Sequence, residues 1–398
     1  MKVSPPLSKI AFCFAAIFSF TNCSGDKTKQ SQADSVKQLQ QSQQTVELNT
    51  LYTQAGKALF LARPLAATSA GAPKELVGDK INTKMTSFTP ESEAKLRSDL
   101  VSLTQQIAAF PEGGLNSKQL ENKQVMESVL RYFSGEPNFN IGYIDVWMGL
   151  SPFIINQING PIIDVPRALT DAHQINTLQD ATDYIVRLKQ LDELIASVQE
   201  KFLADAKLNW LPPKEVLSGA ISYLKKFTEK PIANHSLVTS FETKLATLDN
   251  VSSEQKNAFI ADVKKIINEE VYPAYAQLTE KAKMLLPKSN VESGIWAQPN
   301  GAAYYQDAIS QLGDSELSAE AIHQLGLDEV ARISTQINSI LREQGYDKGT
   351  VGERMVALSK EPRFLYEDSE AGRGKLIEDV NGFITEVTQK MSPLFKTK

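Results

Sequence analysis

The dominant pattern along the chain is the return of apolar residues every three or four positions, which is the period of an α-helix. One stripe follows Thr89-Pro90, a pair that suits a helix start because proline at the first helical position loses no hydrogen bond. A second stripe runs from Tyr184 to Phe202, and Asp180 is its predicted cap. The apolar positions of the first stripe are Leu96, Leu100, Leu103 and Ile107.

Two more helical stripes follow downstream. One runs from Phe259 to Leu285 after a predicted cap at Ser252 and Ser253, and Pro273 within it predicts a kink. The last runs from Ile377 to Met391, close to the end of the chain. Both stripes indicate amphipathic helices that bury one face.

Patterns typical of β-strands are scarce. The apolar segment Ile141–Ile163 is interrupted by glycine and proline, which predicts buried loops and short turns. No repeat with a period of 20 to 50 residues is present. The sequence therefore predicts an all-α fold, or nearly so.

The first residues have the pattern of an export signal. Lys2 and Lys9 give a positive start, and an uncharged apolar run, Ile10–Phe20, follows. This run is too short to span a bilayer and has the length of a signal-peptide core. Cys23 comes directly after it and resembles the acylated cysteine of a bacterial lipoprotein, although Asn22 stands where glycine or alanine is usual. We expect residues 1–22 to be a signal peptide and Cys23 to be lipidated.

The alternative is ordinary secretion, with cleavage between Thr21 and Asn22 and no anchor. The segment that follows favours the lipoprotein, because it is rich in Ser, Gln, Lys and Asp and almost free of apolar residues. Such a segment cannot bury surface. We therefore predict a flexible tether over residues 23–47 and a helical domain over residues 48–398, on a lipoprotein that faces the periplasm or the exterior.

Composition narrows the classes of function. The net charge of the 398-residue chain is −5, without a basic block, so the electrostatic signature of nucleic-acid binding is missing. The two cysteines are Cys13, in the signal, and Cys23. The remaining body has no cysteine with which to form a disulfide, so its stability must come from packing.

The sequence contains no recognised catalytic motif. The three histidines are His173, His235 and His323, and no two are closer than 62 positions. A His-Glu-x-x-His zinc site is therefore excluded, since it needs two imidazoles one helical turn apart. A Gly-x-Ser-x-Gly elbow, a phosphate-binding glycine loop and a dinucleotide fingerprint are also missing. We predict no metal site and no cofactor in this chain.

A family resemblance adds a more specific hypothesis. Gly301-Ala-Ala-Tyr304-Tyr305 precedes the segment Ile322-His323-Gln-Leu-Gly-Leu-Asp-Glu-Val-Ala-Arg-Ile333. This order resembles the signature of the bacterial domain-of-unknown-function family 885, in which Gly-x-x-Tyr-Tyr precedes Ile-His-x-x-Gly-Leu-x-Glu-Val-x-Arg-Ile. Further matches lie upstream, so that the resemblance covers nearly the whole body. They lie at Asp180–Leu188, Pro273–Leu278, Gly294–Trp296 and Pro299–Gly301.

The resemblance implies a function. The family resembles helical zinc peptidases, and its His-Glu-x-x-His segment is expected downstream of the Ile-His motif. This sequence stops at Lys398, about where the catalytic half would begin. The resemblance thus implies the N-terminal, substrate-side half of a peptidase-like protein, with zinc in the missing C-terminal half. A shortened gene product, a frameshifted remnant and one piece of a split enzyme are the alternatives.

Three residues of the signature are candidates for substrate binding: Tyr304, Tyr305 and His323. A phenol offers an apolar face and a hydrogen-bonding group, so one of the two tyrosines is expected to line a peptide groove while the other packs in the core. The alternative for His323 is a packed histidine that is hydrogen-bonded to a neighbour. Gly326 is expected to allow close helix packing, and Trp296 to lie in the core.

Two classes of function follow from these observations. The first is a peptidase-like lipoprotein that catalyses only together with a separate catalytic half. The second is a non-catalytic binding or scaffold lipoprotein of the cell envelope. The expected partners are the membrane, through the lipid, and either the catalytic half or a peptide ligand.

Overall fold

The chain is described by a computed structural model over residues 26–135 and 139–395. It divides into two compact units, which meet in sequence between Glu316 and Leu317. Helices dominate both units, and the only strands among the described residues are two of three residues each. The predicted fold class, all-α or nearly so, is confirmed.

The first unit contains thirteen α-helices and one β-hairpin in its described part. The helices are α1 (Asp26–Ala62), α2 (Pro64–Ser69), α3 (Lys74–Val77), α4 (Pro90–Ala108), α5 (Ser117–Ser134), α6 (Pro161–Asp171), α7 (Leu178–Leu188), α8 (Leu191–Lys207), α9 (Lys214–Glu229), α10 (Ser236–Ala246), α11 (Ser253–Ile266), α12 (Tyr272–Leu285) and α13 (Gly301–Gly313). The antiparallel strands are β1 (Tyr143–Asp145) and β2 (Gly149–Ser151), with Ile144 opposite Leu150. Short 3-10 helices lie at Ile81–Thr83, Ile232–Asn234, Leu286–Lys288 and Ile295–Ala297.

The second unit contains three α-helices among its described residues. They are α14 (Ala319–Glu343), α15 (Val351–Ser359) and α16 (Glu370–Met391), with 3-10 turns at Pro362–Phe364 and Ser392–Leu394. Leu341 is the only large apolar side chain of the described part of this unit that is buried. The helices of the second unit therefore bury little apolar surface within the described chain.

The predicted helix starts are largely confirmed. Thr89 caps α4 by accepting a hydrogen bond from the backbone N–H of Ser92 at 3.2 Å. Ser252 caps α11, where its hydroxyl accepts from the backbone N–H of Gln255 at 3.2 Å. Such caps satisfy backbone donors that have no partner in the first helical turn.

The predicted helix from Asp180 to Phe202 is wrong in two respects. Its N-cap is Thr177, and the carboxylate of Asp180 accepts the backbone N–H of Thr177 at 2.8 Å to complete a capping box. The stripe is also divided into α7 and α8. Gln190 lies between them, and its side chain donates to the carbonyls of Thr83 and Val186 at 2.9 and 2.7 Å.

A π turn interrupts the long helical stripe just before Pro273, where the sequence predicts a kink. A π turn, Ile267–Val271, separates α11 from α12, and Pro273 occupies the first turn of α12. Proline has no N–H to donate to the preceding turn, so the regular hydrogen-bond ladder cannot continue through it.

The first unit has two main apolar clusters. The larger draws on α6 to α12, with Leu188, Leu191 and Val263 among its fully buried members. The smaller joins α1, α4 and α5, and Leu48 of α1 is 2% exposed in it. Leu48 is the first buried side chain on α1 for which burial is described, and the start of the folded body at residue 48 stays a prediction.

The predicted signal peptide and Cys23 lie outside the described residues. From Asp26 onward the backbone of the predicted tether is helical and continuous with the rest of α1. A helix satisfies its backbone hydrogen bonds internally and does not need to bury a face. The role of residues 23–47 as a tether stays a prediction. No helix in the described part of the chain is long and apolar enough to cross a bilayer.

Candidate functional site

The two candidate tyrosines have opposite environments on α13. Tyr304 is buried, and its hydroxyl donates to the Leu150 carbonyl at 2.7 Å. Its ring packs edge-on against Phe139 and tilted against Trp210, with both pairs of ring centroids 5.5 Å apart. Burial raises the pKa of Tyr304 above its usual value, so the phenol stays protonated. Tyr305 is 50% exposed. Of the two, Tyr305 is the one that is accessible to a ligand.

His323 lies on α14 in the second unit, close to the cap that Ser318 provides, and is exposed. The three candidate residues therefore do not share an element. Their role in substrate binding stays a prediction. The expectation for Gly326 is wrong, because a Cβ atom there would meet no described atom within 4 Å. Trp296 is 66% exposed, so its expected place in the core is also wrong.

The described residues contain no group of three or more His, Cys, Asp and Glu side chains that could hold a metal ion. Two of the three imidazoles are buried in protein contacts. His173 hydrogen-bonds the Asp180 carbonyl at 3.0 Å, and His235 accepts from the backbone N–H of Leu237 at 3.3 Å. These two rings are therefore structural.

The first unit also contains a cavity of about 410 Å³ next to the β-hairpin. Its walls come from the end of α1, from α2, from β1 and from the first turns of α6. Most of the lining is apolar, and the rings of Phe60, Phe88, Phe133 and Trp147 contribute to it. Trp147 is 78% exposed, which places its indole at the rim. This size falls within the usual range for small-molecule sites.

Arg63 and Glu93 form a buried ion pair beside the cavity. Nη2 of Arg63 lies 2.6 Å from Oε1 of Glu93, and both side chains are 6% exposed. Arg63 also donates to the Ile144 carbonyl through Nε and Nη2, and its guanidinium lies 4.8 Å from the centroid of Phe88. The other oxygen of Glu93 accepts from the Ile144 N–H at 2.9 Å. The pair therefore fixes α4 and the end of α1 to the first strand.

Two carboxylates line the cavity directly. Asp145 is 6% exposed and accepts from the Tyr143 hydroxyl at 2.6 Å and from the backbone N–H groups of Trp147 and Met148 at 2.7 and 2.9 Å. Asp164, at the start of α6, accepts from the backbone N–H of Gly160 at 2.6 Å. Burial raises the pKa of Asp164 above its usual value, and the charge of Asp145 adds to the increase.

A second, smaller cavity of about 260 Å³ has a more polar lining and lies between α4, α8 and β1. Lys201 and Asp205, one turn apart on α8, form a buried ion pair there, and Asp205 also accepts from the Gly142 N–H at 3.2 Å. Burial raises the pKa of Asp205 to about 6, although Lys201 opposes the change. Lys201 and Asp205 thus have partners within the protein, which indicates that this ion pair has a structural role.

No sequence motif contains these charged residues, but the positions of four of them on their helices indicate burial. Glu93 and Arg97 lie on the same helical face as Leu96 and Leu100, and Lys201 and Asp205 continue the stripe that contains Val198 and Phe202. A charge at an apolar position of a helix is rarely buried unless it is paired. Asp145 and Asp164 lie in a segment without helical period, where no such signal applies.

Comparison with known proteins identifies a matching family and similar solved structures. Residues 64–398 match the family described as "Bacterial protein of unknown function (DUF885)". A crystal structure described as the "putative lipoprotein from Colwellia psychrerythraea" is 53% identical in sequence and has a TM-score of 0.84. The match covers 89% of this chain and 60% of that protein, so the chain spans less than two thirds of its relative. No curated protein matches the chain.

Proposed function

The chain belongs to the bacterial family DUF885, and from that membership we propose that it is a lipid-anchored protein of the cell envelope that supplies the substrate-side part of a peptidase-like protein. Its catalytic residues would lie outside this sequence. In this proposal the chain is inactive alone, and zinc is bound by the missing half. The function is therefore completed by a second polypeptide segment.

The exposed apolar stripe of the second unit carries this proposal. On α16 the stripe recurs at helical spacing, and each of its side chains is at least 41% exposed. Its residues are Leu376, Ile377, Val380, Phe383, Ile384, Val387 and Met391. A large apolar side chain left in water forgoes roughly 1.5–3 kcal/mol of burial free energy, and patches of this kind mark interaction surfaces. The longer chain of the Colwellia relative supports a polypeptide segment as the occupant.

Two observations support the lipid anchor. Cys23 follows an apolar run of signal-peptide length. The description of the Colwellia relative is "putative lipoprotein". An acylated cysteine would hold the body at the membrane without a spanning helix, because several acyl chains together bind a bilayer firmly.

The test of the peptidase-like function is complementation. The part of the Colwellia relative that this chain does not match is co-expressed with the full chain, and each is also produced alone. We expect the two to purify together, and the pair alone to contain zinc and to hydrolyse peptides. We also expect the pair to bind less of a hydrophobic dye than the chain by itself. Failure to associate, with unchanged dye binding, would contradict the proposal.

A second candidate function is a self-sufficient binding lipoprotein, which the cavity in the first unit favours. Every described residue that lines the cavity belongs to that unit. A monomeric chain that binds no dye and unfolds in one sharp transition would favour this function over the first.

A further inference from the structure

The cavity beside the β-hairpin has an imbalance of charge. In the part of the chain that the structure describes, Arg63 is its one cationic lining residue, and Arg63 is already paired with Glu93 and with the Ile144 carbonyl. Its two acidic lining residues are Asp145 and Asp164. Among the described residues Asp145 has no cation within ion-pair distance, and Asp164 has a single one, Arg167, at 3.3 Å. Negative charge therefore exceeds positive charge at this wall.

The hydrogen bonds of Asp145 come from neutral donors. Three donors hold the carboxylate in place, namely the Tyr143 hydroxyl and the two backbone N–H groups that follow it in the hairpin turn. A carboxylate with an ordered position and no cation attracts a cationic group more strongly in a protein cavity than at an open surface, because the effective dielectric is lower there. The wall formed by Asp145 and Asp164 is therefore suited to a protonated amine.

The remaining walls of the cavity are apolar and favour an apolar body for the rest of the ligand. Phe60, Phe133 and Trp147 offer aromatic surface, and Leu59, Val165 and Ala168 add aliphatic surface. Apolar ligand atoms placed against these walls gain roughly 25 cal/mol for each Å² removed from water. A volume of about 410 Å³ admits a body the size of an eight-carbon chain or an apolar dipeptide.

We propose that this cavity binds an apolar molecule that carries one protonated primary amine, with the amine between Asp145 and Asp164 and the apolar body against Phe60, Phe133 and Trp147. Two sources share this chemistry, the N-terminus of an apolar peptide and an alkylamine. The cavity lies within the first unit, so this inference holds under either proposed function. Its failure would leave the complementation and membrane experiments unaffected.

The test compares probes that differ in charge on one apolar body. Octylamine, octanol and octanoate are titrated into the purified full chain at pH 7, and the heat of binding and the emission of Trp147 are followed. We expect octylamine to bind at least tenfold more tightly than octanol, and octanoate not to bind. If the emission no longer changes on addition of octylamine in the Trp147→Phe variant, the signal comes from the indole at the rim of the cavity. Equal binding of the three probes, or no binding of any, would overturn the proposal.

Variants separate the charged wall from the apolar walls. Asp164→Asn is expected to weaken the binding of octylamine at least tenfold and to leave the binding of octanol unchanged. Asp171→Asn, at the end of the same helix and outside the cavity, should change the binding of neither probe. Ala66→Phe is expected to fill the space and abolish both. An Asp164→Asn variant that binds octylamine as tightly as the original chain would contradict the placement of the amine.

A peptide pair distinguishes the two sources of the amine. Leucyl-phenylalanine amide and its N-acetylated form differ only in the charge at the N-terminus. Binding of the free amine form, with loss on acetylation, supports a peptide N-terminus as the ligand. Binding of octylamine without either peptide supports an alkylamine. Equal binding of the free and acetylated peptides would contradict the role of the carboxylates.

Discussion

Nη1 of Arg187 donates a hydrogen bond of 3.1 Å to Nδ1 of His173, deep in the first unit. Arg187 is 0% exposed and His173 is 1% exposed. Because Nδ1 accepts from an arginine, the imidazole carries its proton on Nε2, which donates to the Asp180 carbonyl at 3.0 Å. The pair therefore stabilises a neutral histidine with one defined tautomer.

Arg187 also connects elements that are distant in sequence. Its other donors reach the carbonyls of Lys84 and Ile81 and the Thr68 hydroxyl, at 3.1, 2.8 and 2.7 Å. Burial lowers the pKa of Arg187 to about 10, so the side chain remains charged at neutral pH. The guanidinium thus satisfies carbonyl groups that irregular backbone leaves without partners.

We expect Arg187→Met to destabilise the first unit by at least about 3 kcal/mol, because several buried acceptors lose their donor at once. Urea unfolding followed by circular dichroism measures the loss. Lys189→Met is the matched control, since it removes the same charge two residues away at an exposed position. A loss no larger than that of the control would show that water replaces the guanidinium without cost.

The buried histidines predict a stability that falls in weak acid. Burial lowers the pKa of His173 and of His235 to about 4 each. Between about pH 6.5 and pH 4 the unfolded chain binds protons that the folded chain does not, so the free energy of unfolding decreases as the pH falls. Each histidine accounts for a loss of about 2 kcal/mol between pH 7 and pH 5.

Asp205 changes the free energy of unfolding in the opposite direction to the two histidines as the pH falls. Its raised pKa of about 6 means that the folded chain binds the proton first, which adds about 1 kcal/mol of stability from pH 7 to pH 5. The sum predicts a net loss of about 3 kcal/mol over this range. His235→Asn keeps an acceptor for the Leu237 N–H and removes the titration, so the loss should shrink by about 2 kcal/mol.

The helical stripes were predictable because the apolar residues that pack in the core recur along the sequence with the period of an α-helix. The cap of α4 at Thr89 and the interruption at Pro273 follow from local chemistry, and both are found. The break at Gln190 was not predictable, since the apolar stripe continues past it and no proline or glycine marks a helix end there.

The cavity was less predictable than the helices. Asp145 and Asp164 belong to a segment of glycine and proline turns whose path in space the sequence pattern does not determine. Gly142 illustrates this point, since its φ of +66° and its approach to the Ser151 carbonyl exclude other residues. The pattern therefore does not show that Asp145 and Asp164 line the same cavity.

The lipid anchor predicts a clear fractionation result. Cys23→Ala should move the exported protein from the membrane fraction to the soluble fraction, because it removes the thiol that is proposed to carry the acyl chains. The effect should be large, since several acyl chains bind far more firmly than one. Ser24→Ala is the matched control. Membrane association that survives Cys23→Ala would contradict acylation at this cysteine.

The histidines predict that the purified full chain binds zinc far below one equivalent after dialysis. Two imidazoles are engaged by buried partners, and the third has no ligand cluster among the described residues. A zinc site needs three or four ligands that converge on one point. Elemental analysis measures the content, and the co-expressed pair of the complementation experiment is the positive control. Near-equimolar zinc in the chain alone would contradict this prediction.

The last prediction concerns the apolar stripe of α16. Phe383 and Val387 lie one turn apart on it and are 64% and 57% exposed. In the absence of another segment, copies of the chain should cover this surface by associating with each other, because each buried side chain gains roughly 1.5–3 kcal/mol. Phe383→Glu places a charge in the middle of the stripe and should weaken self-association at least tenfold, as measured by analytical ultracentrifugation.

Gln389→Glu is its control. It adds the same charge on the opposite face of α16, where the helical period places no apolar side chain, and should leave association unchanged. The two variants separate a specific apolar contact from a general effect of net charge. Equal effects of both variants would indicate repulsion alone. A chain that is monomeric before any substitution would contradict the stripe as a docking surface and would favour the self-sufficient binding lipoprotein.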